Sequence, residues 1–156
     1  MNDMINVLDR GHVDALMLLD MSAAFDTVDH SIMVDVLKRR FGVCDSALNW
    51  LEDFLTSRSQ AIRLGTNQTV DVSLKFGVPQ GSVMGPKRFI EYAEDVTNQF
   101  NKNDLRHHMF ADDMQAMASG PPSGAFAINS SLETCLADVN SWCTAKRLQL
   151  NAGKRT

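Results

Sequence analysis

Apolar residues recur at helical spacing in four stretches of the chain. In "DHSIMVDVLKRRFG" they repeat every three or four positions, with Asp29 placed to cap the start and Gly42 to end the helix. "SALNWLEDFLTSR" repeats the pattern. A third helix is predicted from Pro86 to Phe100, and a fourth follows the connector "ASGPPSGAF", with Ser130 and Glu133 as its capping box.

The remaining apolar segments have the period or the length of β-strands. "VDALMLL" is a short continuous apolar run, and "QAIRLG" and "VDVSLKF" alternate on either side of "TNQT", which predicts a hairpin. A second hairpin is predicted within "HHMFADDMQAMA", and "RLQLN" has the pattern of a closing strand. The order β-α-α-β-β-α-β-β-α-β predicts an α+β fold, with helices packed mainly on one face of an antiparallel-rich sheet.

Composition narrows the class of protein. A chain of 156 residues, 44% apolar and 22% charged, predicts a single globular domain over residues 1–156. The longest apolar run, "ALMLL", is too short to cross a membrane, and three cysteines without a metal-site spacing favour reduced thiols inside a cell. The net charge of −4 does not indicate a broad basic surface for nucleic acid, so any such role depends on a local site.

Three carboxylates stand at the ends of predicted strands. Asp20 follows the first strand, and Asp112 and Asp113 lie at the bend of the second hairpin. Two ionised carboxylates about 4 Å apart repel by roughly 4 kcal/mol at an effective dielectric constant near 20. A magnesium ion, which prefers oxygen ligands, would offset that repulsion. Turn formation or helix capping is the alternative, and the pattern by itself leaves both open.

Three ordered motifs carry a resemblance to a known family. "LLDMSAAFDTVDH", "GVPQGSVMGP" and "FADD", followed by "WCTAKRLQLNAGK", resemble the palm motifs of reverse transcriptases from non-LTR (LINE-type) retrotransposons. The similarity extends from about Val13 to Lys154. It implies an RNA-directed DNA polymerase whose partners are an RNA template, a DNA primer and deoxynucleoside triphosphates, in the nucleus or cytoplasm and without a membrane.

The resemblance also implies a role for individual residues. The catalytic and metal-binding residues would be Asp20, Asp112 and Asp113, with two Mg²⁺ ions, or Mn²⁺ in their place. The substrate-binding residues would be Phe25 against the sugar of the incoming nucleotide, Gln80 and Gly81 in the loop beside nucleotide and template, and Lys154 near the pyrophosphate. Core packing explains Phe25 equally well, a tight connector explains the glycine, and a solvated terminal charge explains Lys154.

The chain also departs from the family pattern. Lys87, Arg88 and Glu91 stand where the family usually has apolar residues, and Phe110 replaces the commoner tyrosine. The fingers and thumb segments of a polymerase are missing from the printed sequence. An alternative is therefore a catalytically inactive retroelement fragment or a co-opted binding domain. A metal-dependent nuclease has less support, since no candidate general base accompanies the acids.

Overall fold

The computed structural model describes residues 11–151, which fall into two compact units. We call the part formed by residues 11–22 and 94–151 the sheet unit, and residues Ala23–Ala93 the helical unit. The prediction of a single domain over residues 1–156 stays a prediction. Helices and antiparallel strands are combined as predicted, which confirms the α+β class. No helix within the described residues is long and apolar enough to span a membrane.

The sheet unit is built on three antiparallel strands in the order β1-β7-β6. These are β1 (Val13–Leu19), β6 (Arg106–Phe110) and β7 (Asp113–Gly120). Helix α5 (Ala125–Ala145) packs on β1 and β7, while α4 (Thr97–Lys102) packs on β6 and α5. Leu19 and Met114, opposite each other, are buried, whereas Leu16 and Leu18 stay 38% and 37% exposed. The apolar packing of this sheet is thus concentrated on one face.

The helical unit contains α1 (His30–Phe41), α2 (Asp45–Thr56) and α3 (Met84–Ala93). Helix α1 packs against both of the others. Asp29 caps α1 by accepting a hydrogen bond from the Ile32 amide at 3.0 Å, and Gly42 ends it with a φ of +66°. Between α2 and α3 lie four two-residue strands, β2 (Ser59–Gln60), β3 (Arg63–Leu64), β4 (Asn67–Gln68) and β5 (Val72–Ser73). Strand β2 pairs with β5, and β3 with β4.

Several local predictions were wrong. The fourth helix begins at Ala125, so Ser130 lies within it and no capping box forms there. The first hairpin turns at Gly65 and Thr66, because Asn67 and Gln68 of the predicted turn are paired in β4. The closing strand is reduced to a single bridge between Leu150 and Met21. In the first two cases a helical turn or a main-chain pairing extends beyond the boundary that the side-chain pattern predicts, and in the third the pairing is shorter than the pattern.

Candidate active site

The strand register brings the three predicted carboxylates to one end of the sheet. Strands β1 and β7 pair from Val13 opposite Gly120 to Leu19 opposite Met114. Asp20 follows the last paired residue of β1, and Asp113 precedes Met114 on β7. Asp20 therefore directly follows, and Asp113 directly precedes, the last residue pair of this ladder. The first strand thus lies beside the acidic hairpin.

Asp112 lies in the tight turn that joins β6 to β7. Phe110 pairs with Asp113, which leaves only Ala111 and Asp112 to form the connection. Ala111 has a φ of +56°, in the left-handed region that two-residue hairpins require and that costs a residue with a side chain roughly 1–2 kcal/mol. The chain thus holds Asp112 at the tip of a hairpin whose backbone is strained.

The three carboxylates differ in their surroundings. Asp20 and Asp112 are half-buried, whereas Asp113 is exposed. The Asn151 side chain donates a hydrogen bond from Nδ2 to Oδ2 of Asp20 at 2.9 Å. Among residues 11–151, no three histidine, cysteine, aspartate or glutamate side chains form a group that could hold a metal ion. The assignment of all three carboxylates as metal ligands therefore stays a prediction.

Two carboxylates are nevertheless a donor set that suits magnesium. Mg²⁺ usually keeps several waters and is bound by one or two carboxylates together with substrate phosphates, so a cage made by the protein alone is not required. Asp20 and Asp112 are half-buried oxygen donors at the same end of the sheet. Their chemistry and their position fit a divalent cation that is completed by a phosphate ligand.

The predicted substrate-binding residues of the helical unit form a second cluster. Phe25 lies in a 3₁₀ turn (Ala24–Asp26), its ring 4.8 Å from that of Phe89 between centroids. The Val78 amide donates to the Phe25 carbonyl at 2.8 Å, and Gln80 Nε2 donates to Asp26 Oδ1 at 2.9 Å. The first motif and the "GVPQGS" loop are thus joined locally, with Gln80 itself exposed.

Different structural constraints favour glycine at different positions of this loop. Gly81 has a φ of +77° and open space where a Cβ would lie, so its backbone conformation demands glycine. A Cβ on Gly77 would meet the backbone of Phe25 and Asp26 at 3.1 Å, and one on Gly85 would meet the Pro79 carbonyl oxygen at 2.7 Å. Close packing against the protein's own backbone is therefore found at Gly77 and Gly85, and the role of Gly81 beside nucleotide and template stays a prediction. Lys154 lies outside the described residues.

Two polar contacts at these clusters were missed by the sequence analysis. His30 Nε2 lies 2.8 Å from the Gly77 carbonyl oxygen, and Asn151 contacts Asp20. Because a carbonyl only accepts, Nε2 of His30 carries the donated proton. A histidine in the first turn of an amphipathic helix, and an amide directly after the alternating "RLQL", are the signals that could have drawn attention to them.

Comparison with known proteins extends the resemblance over nearly the whole chain. A family model described as reverse transcriptase (RNA-dependent DNA polymerase) matches residues 4–156. The chain belongs to the reverse transcriptase family. The predicted resemblance to the enzymes of non-LTR retrotransposons is also confirmed.

The relatives of this reverse transcriptase chain are much longer. It is 26% identical over 151 residues to the probable RNA-directed DNA polymerase from transposon BS of Drosophila melanogaster, covering 94% of this chain and 16% of that protein. It is 26% identical over 147 residues to the Pol polyprotein from element R2 of Popillia japonica, covering 87% and 19%. The chain thus spans less than a fifth of either relative.

A solved structure supports the fold. Apo telomerase from Candida tropicalis, truncated from its C-terminal domain, matches with a TM-score of 0.72 and 12% identity. The match covers 99% of this chain and 33% of the telomerase chain. At this level of identity the similarity concerns the fold alone, and it agrees with a polymerase palm.

Proposed function

We propose that this chain is the palm segment of an RNA-directed DNA polymerase. The reaction would join the 3′-hydroxyl of a DNA primer to the α-phosphate of a deoxynucleoside triphosphate opposite an RNA template, releasing pyrophosphate. The proposal rests chiefly on one observation: two motifs 92 residues apart, at Asp20 and Asp112, meet at the same end of one sheet. Family membership supports the same reaction.

Asp20 and Asp112 would hold the catalytic ions, and Asp113 would assist them. Two Mg²⁺ ions, when bound, would supply activation of the attacking oxygen and stabilisation of the leaving one. The half-buried positions of Asp20 and Asp112 suit this division, since the exposed Asp113 is better placed to adjust to the substrate. The bound cations would also offset the repulsion between neighbouring carboxylates.

The helical unit would contribute contacts to the nucleotide. Phe25 would lie against the sugar and exclude a 2′-hydroxyl, because its half-buried ring, packed on Phe89, has little freedom to withdraw. Gln80 and Gly81 would line the site for nucleotide and template. The exposed Gln80 is restrained by its bond to Asp26 and so keeps a defined direction. Lys154 would assist the pyrophosphate leaving group.

A second candidate is a catalytically inactive binding domain. The observation in its favour is the acidic net charge of −4, since a polymerase needs cationic side chains against the phosphates of template and primer. On this view the carboxylates are inherited from a polymerase and the chain itself does not extend primers.

Primer extension separates these candidates. The chain is assayed alone, and also in place of the matching segment of the transposon BS polymerase, with an RNA template, a DNA primer, deoxynucleotides and Mg²⁺. In the longer protein, Asp20→Asn or Asp112→Asn should lower extension about 10³-fold or more, since several kcal/mol of charge stabilisation are lost. Extension at the unsubstituted rate would refute the assignment, and strand cleavage in place of extension would indicate a nuclease.

Asp14→Asn is the matched control for these substitutions. Asp14 lies on β1, six residues before Asp20, and is opposite Ser119 at the other end of the sheet. The change therefore removes one negative charge from the sheet unit without touching the proposed site. Extension should stay within about twofold of the unsubstituted protein, so that a comparable loss in all three variants would point to a general effect of charge.

A further inference from the structure

The last described residues run antiparallel to the residues that follow β1. The Ser22 amide donates to the Gln149 carbonyl at 2.8 Å, Met21 bridges Leu150, and the Asn151 amide donates to the Asp20 carbonyl at 2.8 Å. Asn151 is therefore held beside Asp20 by the main chain. The segment that contains it lies far away in the sequence and brings a new side chain to the carboxylate end of the sheet.

This closing segment, Leu148 to Asn151, is well anchored. Leu148 and Leu150 are 5% and 4% exposed and so are part of the apolar core of the sheet unit. Just before the segment, Lys146 Nζ lies 3.2 Å from Asp95 Oδ2, and Asp95 Oδ1 accepts from Trp142 Nε1 at 3.0 Å. Because both the helix end and the leucines are fixed, the position of Asn151 does not depend on its own side chain.

The side chain of Asn151 then acts on the Asp20 carboxylate itself. Its Nδ2 donates to Oδ2 at 2.9 Å, a hydrogen bond strengthened by the charge of the acceptor. An ionised carboxylate offers about four acceptor positions, so one amide bond restricts its rotation and still leaves capacity for a cation. An amide is also neutral. A lysine or arginine in its place would orient the carboxylate equally well but would repel the divalent ion.

We propose that Asn151 is a positioning residue that orients Asp20 for a divalent cation. The inference rests on the proposed function, since it takes Asp20 as a metal ligand. Partners that orient metal ligands by hydrogen bonding commonly change metal affinity by 10- to 100-fold when they are removed. Asn151 would act in this way through Oδ2 of Asp20.

The test is the binding of Mn²⁺, supplied as MnCl₂, to the purified 156-residue chain, followed by electron paramagnetic resonance of the free ion. Asn151→Ala and Asn151→Leu should weaken binding 10- to 100-fold. Asn151→Leu keeps the branched shape and the number of side-chain heavy atoms and removes the whole amide group, the donor included. Gln149→Ala is the matched control, because Gln149 is exposed and joins the same pairing through its main chain. Its affinity should stay within about twofold of the unsubstituted chain.

Asp20→Asn and Asp112→Asn separate this inference from the proposed function. If neither changes Mn²⁺ binding, the proposed metal site is wrong. If both weaken binding while the Asn151 variants bind normally, the metal site stands and the role of Asn151 is overturned. Metal-free thermal unfolding of each variant completes the test. Affinity lost only in proportion to the unfolded fraction would make Asn151 a structural residue and also overturn the inference.

Discussion

The sheet unit and the helical unit hold their functional residues in different ways. In the sheet unit, strand register alone brings Asp20 to the acidic hairpin. In the helical unit, side chains add to the main-chain bonds that hold the "GVPQGS" loop, in which the Gly77 and Val78 amides donate to backbone carbonyls. His30 and Arg58 both donate to the Gly77 carbonyl, at 2.8 and 2.5 Å, and Gln80 bonds Asp26.

The burial of polar residues follows the same division. Of the four buried polar or charged residues in the described part of the chain, the helical unit contains Asp29, His30 and Arg88, and the sheet unit only Lys146. Leaving a buried polar group without its partner costs more free energy than the hydrogen bond between them contributes to stability. We therefore expect substitutions of polar side chains to disturb the helical unit most, while the sheet unit depends on apolar packing and main-chain pairing.

The sharpest test of this contrast is the ion pair on α3. Arg88, 4% exposed, lies with Nη1 2.8 Å from Glu91 Oε2, and its Nη2 donates to Oε1 at 3.0 Å. Burial raises the pKa of the Glu91 carboxyl, against the opposing attraction of Arg88 and Lys87. Desolvation thus outweighs attraction at Glu91, and buried ion pairs are often no more stabilising than well-packed apolar residues of similar volume.

Glu91→Leu should lower the free energy of unfolding by about 3–5 kcal/mol, because it leaves the buried Arg88 without its counter-ion. The double variant Arg88→Leu/Glu91→Leu restores the apolar character usual in the family and should be neutral or more stable by about 1–4 kcal/mol. Urea unfolding of each variant measures the difference.

Lys87→Ala is the control for this pair, since Lys87 is exposed on the same helix and its removal should change stability by less than about 0.5 kcal/mol. A double variant less stable than the unsubstituted chain would contradict the expectation. It would mean that the helical unit gains net stability from this ion pair.

A smaller effect is expected at the two donors to Gly77. His30→Phe and Arg58→Met each remove one donor and leave the other, so each should cost about 1 kcal/mol. Removing both leaves a buried carbonyl oxygen unsatisfied and should cost more than the sum of the two, by about 0.5–3 kcal/mol. A double-mutant cycle in urea measures this coupling.

Arg39→Met is the control for Arg58→Met. Arg39 is 76% exposed and pairs only with Asp35 on the surface of α1, a contact worth less than about 1 kcal/mol. Additive losses at His30 and Arg58 would show that the two donors act independently, and the loop would then be held mainly by its own backbone.

The fold was predictable where a pattern extends over many residues. The bounds of α1 follow from Asp29 and Gly42, whose capping roles depend only on local chemistry. Boundaries set by tertiary contacts were not predictable. Helix α5 begins five residues before Ser130, and Ile90, an apolar residue of the predicted third helix, is 54% exposed. The spacing of apolar side chains does not indicate which neighbouring element packs on a helix face.

The candidate site shows the same limit. The carboxylates could be predicted to meet because they end strands, and strand ends meet wherever the strands pair. The bond from Asn151 to Asp20 could not, because it joins residues 131 positions apart through a pairing only a few residues long. Nothing in "RLQLN" by itself distinguishes an amide that orients a carboxylate from a solvated one.

The smallest expected effect tests the apolar packing of the sheet unit. Cys143 is 1% exposed, and burial raises the pKa of its thiol from 9.0 to about 11. The unfolded chain therefore loses this proton first, and the stability that Cys143 contributes is present below pH 9 and lost as the pH rises through about 11. By pH 10 the folded chain has lost about 1 kcal/mol of this stability.

Cys143→Ala should remove this pH-dependent part of the free energy of unfolding. The variant is less stable than the unsubstituted chain at pH 7, and we expect the gap in urea midpoint to narrow at pH 10. Cys44→Ala, at an exposed cysteine, should leave the pH dependence unchanged. An equal gap at both pH values would show that water reaches Cys143 in the folded chain. The interior of the sheet unit would then contain water, and the two units would differ less in the polarity of their interiors than we expect.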